Sequence, residues 1–394
     1  MASRPWHIGS ALLIAALLLA TEPSVQPVEA AASTRSTATP RPAAATAKWG
    51  WVASRKLSGS WIPAKHDRGN SGGETNTITH QGSPGWYIVT LPGVAPGSGE
   101  TGSVLVSPLG KQPRICAPGD WDAIGDQVNV TVRCFTLSGT PANATFVMNW
   151  LAASGAGGRL AYARNFSPTS NCGSPQQAYG SRGGSISNCP ITDDAALAGG
   201  ARLRIPGLAS NGGTVQVSAI ARRATDELNE PVSAGICDLL RFLPARDVTG
   251  DAGFADHEWV DLRCYEPDGD IQIYRRHYVW FMDGLGMKGI VRKNVAYLLA
   301  SKPAAVSYTP DRRHRYSSAG KAGRVTRLGT GSYVATLPGM PLGGSAQVTA
   351  LGGQARHCVV TSIERASLPQ RVGVRCFDLS GQRRDAKFTL AYAR

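Results

Sequence analysis

Gly69-Asn70-Ser71-Gly72-Gly73 sets a serine among glycines, with His66 and Asp67 just upstream. These are the residue types of a nucleophile, its base and the acid that orients the base, the set needed for acyl transfer. The corresponding stretch later in the chain, Tyr316-Ser317-Ser318-Ala319-Gly320, carries no such set, so the string reads as a turn. Asp268-Gly269-Asp270 has oxygens a metal could use, but an Asp-Gly hairpin turn accounts for it. A second acidic group, Asp247, Asp251, Asp256, Glu258 and Asp261 with Gly250 and Gly253, falls between residues 247 and 261. Its spacing matches no EF-hand loop, and an acidic surface loop is expected there rather than a calcium site. No H-E-x-x-H string occurs, and nothing selects a carboxylate pair for glycosidic cleavage. The expectation is a protein that is not an enzyme and needs no metal or cofactor.

Charge and aromatics point to binding instead. The formal net charge is +14, with 32 arginines against 9 lysines. Residues 296–394 hold 15 basic and 4 acidic side chains, whereas residues 156–295 hold 15 of each. Arg312, Arg313 and Arg315, together with Arg383 and Arg384, would form a positive surface that attracts polyanions within a Debye length of about 8 Å. Trp86 stands on the strand face opposite Tyr87, Val89 and Leu91, where a ring can stack on a sugar. The function expected is a non-catalytic binding protein of the bacterial cell surface. Its partner would be an anionic cell-wall polymer, a polysaccharide or a surface protein. A structural or protein-interaction scaffold without polyanion binding is the alternative. Nucleic acid is disfavoured, because no reading motif accompanies the charge.

The elements that must position these residues recur three times. Pro-Gly steps at Pro92-Gly93, Pro206-Gly207 and Pro338-Gly339 are each followed by a Val-x-Val-like strand, a cysteine, an Arg-Cys-aromatic strand, a Gly turn and an aromatic strand. The cysteines of each round, Cys116 and Cys134, Cys237 and Cys264, Cys358 and Cys376, are expected to form disulfides, with Cys172 and Cys189 a local staple of an insertion. Period-two runs separated by Gly, Pro, Asn and Ser specify strands, and no helical period is evident. The fold class is therefore all-β, in three tandem repeats of about eight strands each. Each repeat divides into two successive four-stranded meanders. Six such sheets suit a six-bladed β-propeller-like ring, and three tandem β-sandwich modules are the alternative.

The organisation expected is a signal peptide at 1–30, a disordered Ala/Ser/Thr/Pro linker at 31–48, then repeats at 49–155, 156–295 (with insertions) and 296–394. No later apolar run is long enough to span a bilayer, so a secreted, extracellular protein follows. The pattern aromatic-x-Pro, Ser-small-Gly, Tyr-x-Val-x-Leu-Pro-Gly, Val-x-Val-[ST], Cys, Val-x-Val-Arg-Cys-Phe, Gly, Phe-x-Leu-x-Tyr resembles uncharacterised exported β-repeat proteins of actinobacteria. That resemblance implies export and three disulfide-containing copies, and it implies no activity.

Overall fold

A computed structural model describes residues 47–153, 158–165, 172–191, 194–221, 233–247, 252–272, 275–289 and 293–394. The expected signal peptide, the linker up to residue 46, and Asp251 lie outside the described residues. Wherever apolar residues alternate between turn formers, the chain is extended. The first stretch runs β1 (Lys48–Ala53), β2 (Ser60–Trp61), β3 (Arg68–Asn70), β4 (Thr77–His80), β5 (Trp86–Leu91), β6 (Gly102–Pro108), β7 (Arg114–Ile124), β8 (Gln127–Thr136) and β9 (Phe146–Ala152). The second runs β10 (Arg159–Asn165), β11 (Gln177–Gly180), β12 (Ser187–Pro190), β13 (Ala201–Ile205), β14 (Thr214–Ala219), β15 (Ile236–Pro244), β16 (Glu258–Tyr265) and β17 (His277–Asp283). The third runs β18 (Val295–Ala300), β19 (Ser307–Tyr308), β20 (Arg315–Ser317), β21 (Arg324–Gly329), β22 (Ser332–Leu337), β23 (Ser345–Leu351), β24 (His357–Ile363), β25 (Gln370–Phe377) and β26 (Lys387–Ala393). Helix is confined, among the described residues, to 3₁₀ turns of three residues.

The sheets are not the successive meanders expected from sequence. In the first stretch one sheet has the order β3-β1-β9-β6 and the other β2-β4-β5-β8-β7, so the chain passes back and forth between them. Burial explains the pairing. Strands β6 and β9 are buried at every position, and they pair with each other. Strands β5 and β8 alternate half-buried and buried residues, and they likewise pair together. A strand covered on both faces needs a neighbour with the same two-sided burial, whereas an alternating strand needs one with a wet face. In the second stretch the buried strands β14 and β17 likewise pair, within the sheet β11-β10-β17-β14, and the third stretch has the sheet β19-β21-β22-β25-β24. The buried strands β23 and β26 pair within an eight-stranded sheet, β12-β13-β16-β15-β23-β26-β18-β20, whose two halves are joined at the parallel pair Leu239 and Leu351.

Four disulfides hold these sheets, and among the described residues no cysteine is free. Cys116–Cys134, Cys237–Cys264 and Cys358–Cys376 each join directly opposed residues of neighbouring strands. Three main-chain bonds link strands from different stretches: Gly110 N–H to the Val360 carbonyl at 2.7 Å, Ala221 to Pro118 at 2.9 Å, and Gly352 to Leu239 at 2.7 Å.

Where β6, β14 and β23 meet, hydroxyls close a circuit. Ser218 Oγ accepts from the Val106 N–H at 3.0 Å and donates to its carbonyl at 3.1 Å. Thr349 Oγ1 accepts from the Val217 N–H at 2.9 Å, and Ser107 Oγ accepts from the Val348 N–H at 3.3 Å. Each strand thus satisfies main-chain groups that its own ladder leaves open, which a buried strand edge requires.

Candidate binding cleft

The Arg312–His314 segment forms a 3₁₀ turn just before β20. Asp311 caps it, its carboxylate accepting from the Arg313 N–H at 2.8 Å and its carbonyl from the His314 N–H at 3.1 Å. From the second stretch, the Gly213 N–H donates to the Arg313 carbonyl at 3.0 Å. A Cβ on the neighbouring Gly212 would lie 2.1 Å from that same oxygen, so the approach requires glycine. Arg315 Nη1 donates back to the Pro310 carbonyl at 2.8 Å, and the His314 ring stands edge-on to Phe242 at 5.4 Å. Burial lowers the His314 pKa, which keeps the imidazole neutral against that apolar ring. The turn is therefore fixed through its backbone. The guanidinium groups of Arg312 and Arg313 make no ion pair among the described residues.

These arginines edge a cleft of about 550 Å³. Asp283, Ser210 and Tyr297 also line it. The Asp283 carboxylate accepts from Arg159 Nη1 at 3.0 Å, from Ser210 Oγ at 2.8 Å and from the Tyr297 hydroxyl at 3.3 Å. Behind Ser210, whose N–H donates at 2.9 Å, lies the wholly buried Glu258. Burial, reinforced by the nearby Asp283 charge, pushes its pKa up to about 9, so this carboxyl is neutral at pH 7. A second cavity of about 330 Å³ shares Arg312, Arg315 and Tyr316 with the first and adds Lys321. Tyr316 stacks on Tyr297, the ring centroids 5.6 Å apart.

The expected site residues thus separate. Arg312, Arg313 and Arg315 come together in the cleft, but Arg383 and Arg384 line neither cavity. Arg384 is held on the β25–β26 turn by Asp378 at 2.8 Å and Gln382 at 3.0 Å. Burial opposes ionisation of Asp378, yet hydrogen bonds from Ser380, Arg384 and Gln382 bring its pKa down to about 2. Trp86 is half-buried, and the Arg133 guanidinium lies 4.0 Å from its ring centroid, so a cation already occupies one approach to the ring. Asp283, Ser210, Tyr297 and Tyr316 escaped sequence reasoning. Asn211-Gly212-Gly213 and the tyrosines on paired strands β18 and β20 were the available signals.

The acidic group at 247–261 corrects an expectation. Glu258 and Asp261 lie on β16, not in a surface loop, and both are wholly buried. Asp261 accepts from Arg202 Nε at 2.7 Å and Nη2 at 3.1 Å, and from Arg241 at 2.8 Å. Buried carboxylates persist when paired this way, and the cross-strand neighbour of Asp261 is Arg202. The serine, histidine and aspartate near residue 70 are engaged separately. Ser71 Oγ accepts from the Trp49 N–H, Asp67 binds Arg55 at 3.0 Å and Arg365 at 2.7 Å, and His66 meets Arg394 at 2.9 Å.

No protein-family model matches this chain, and no curated protein or solved structure matches it either.

Proposed function

We propose that the chain is an exported, non-catalytic binding protein that engages an anionic polymer or glycan through the cleft edged by Arg312, Arg313 and Arg315. One observation carries this reading: a backbone-pinned turn sets two arginines, whose guanidinium groups have no carboxylate partner among the described residues, in the lining of a cavity of ligand size. Four disulfides suit an oxidising compartment, and no helix among the described residues is long and apolar enough to cross a membrane.

The scaffold that carries the cleft is proposed to be three copies of one unit, each made of two sheets packed over a shared core, which favours the tandem-sandwich alternative over a ring of six blades. Support comes from the three equivalent main-chain links at Gly110, Ala221 and Gly352 and from the hydroxyl circuit of Ser107, Ser218 and Thr349. Corresponding strands β6, β14 and β23 each pair with the last strand of their own stretch, β9, β17 and β26.

Retention on an immobilised acidic polysaccharide, titrated with salt, tests the binding role. The native chain should be retained at low salt and released steeply as salt rises, and the Arg312→Gln/Arg313→Gln double variant should elute earlier. Equal retention of both proteins would leave the scaffold reading in its place.

A further inference from the structure

We infer that the cleft takes a saccharide bearing carboxylate groups, not a densely charged polyphosphate. The inference rests on the reading of the cleft as an anion site. It is carried by the mixed charge of the lining. Arg312, Arg313 and Arg315 line the cleft together with two carboxylates, Asp311 and Asp283, the latter already paired with Arg159 at 3.0 Å. A chain of phosphates brings a charge at every link and no hydroxyl donors, so some of its charges would meet the carboxylate of Asp311 and none could donate to either acid. A sugar acid brings one carboxylate among several hydroxyls. Its carboxylate matches the planar fork of an arginine, and its hydroxyls can donate to oxygens of Asp311 and Asp283 that still have lone pairs.

Two further features fit a sugar chain. The buried Glu258 behind Ser210 is neutral, so it adds no negative charge to the wall. Tyr316 lies between the two cavities, which share Arg312 and Arg315, and the second adds Lys321. Consecutive rings of one chain would thus each find a cation, with an aromatic side chain between them.

Calorimetric titration of the full chain with a galacturonic acid trimer, the fully methyl-esterified trimer and a short inorganic polyphosphate tests this. The acid should bind, and the ester and the polyphosphate should each bind about tenfold or more weakly. Arg313→Gln should weaken the acid about tenfold and leave the ester unchanged, because the side chain makes no hydrogen bond or ion pair among the described residues. Lys321→Gln should weaken the acid trimer as well, a second readout at a different surface position. Polyphosphate binding as tight as that of the acid, with loss in Arg313→Gln, would overturn the saccharide while keeping the anion site. Equal binding of acid and ester would overturn the carboxylate. Failure of all three probes to bind would overturn the cleft itself.

Discussion

The N–H of Gly213 donates to the carbonyl of Arg313 at 3.0 Å, and the same junction recurs where Gly344 donates to the carbonyl of His66 at 2.8 Å. In both places a Gly-Gly turn ahead of a strand buried along all or nearly all its length receives a loop from another stretch of the chain. The arginine turn is one of these two seats. Gly212→Ala would place a methyl group against the Arg313 oxygen. The expected result is a loss of about 1–3 kcal/mol in denaturant titration and weaker polyanion retention, since the turn must move.

The hydroxyl circuit predicts a stability effect far from the cleft. Ser218→Ala leaves the buried Val106 N–H and carbonyl without the partner they have at 3.0 and 3.1 Å. The cost should be about 1–3 kcal/mol in urea unfolding. Thr349→Val should behave alike, because Thr349 serves Val217 in the same way.

Glu258 sets a pH dependence. Its folded pKa, about 9, stands above the ordinary 4.5, so the folded state holds a proton the unfolded state releases. That stabilising contribution is complete below the ordinary value and fades as pH rises from about 4.5 through 9. Asp238, raised to about 7 chiefly by burial, acts in the same direction. Glu258→Gln should flatten the fall in melting temperature between about pH 4.5 and 9, and an unchanged slope would refute the assignment.

Removing the Cys358–Cys376 bridge, whose partners are 18 residues apart, should destabilise the chain. The chain-entropy argument puts the loss at about 3 kcal/mol. Denaturation of the Cys358→Ala/Cys376→Ala variant measures it.

Two substitutions should leave retention on the acidic polysaccharide unchanged. Arg384→Gln removes a side chain already engaged by Asp378, and Trp86→Ala removes a ring already stacked with Arg133. A fall in retention for either would move the site away from the cleft.

Much of the scaffold could be read in the residues themselves. Period-two runs marked the strands, and the position of each cysteine in its round marked the pairs that are bridged. The assignment of strands to sheets was missed, although a signal was there. The apolar run Phe146-Val147-Met148 suits two-sided burial, whereas Val128, Val130 and Val132 alternate with polar residues. The arginine run at 312–315 was visible as charge. Its neighbours Ser210 and Asp283 were not, because they come from strand ends and turns distant in sequence and only the packing of β14 and β17 near the turn before β20 brings them together. Asp261 was misread for a related reason. A carboxylate shows as buried only once its partner Arg202, 59 positions away, is known.

The circuit of Ser107, Ser218 and Thr349 also bears on ancestry. Each of the three strands gives a hydroxyl to one neighbour and takes one from the other. If the three stretches descend from one unit, a polypeptide carrying that unit alone would have had those needs met only by assembling in threes. On that premise a symmetric trimer would be the natural forerunner, and fusion of its subunits would have freed each to diverge, one of them gathering arginines.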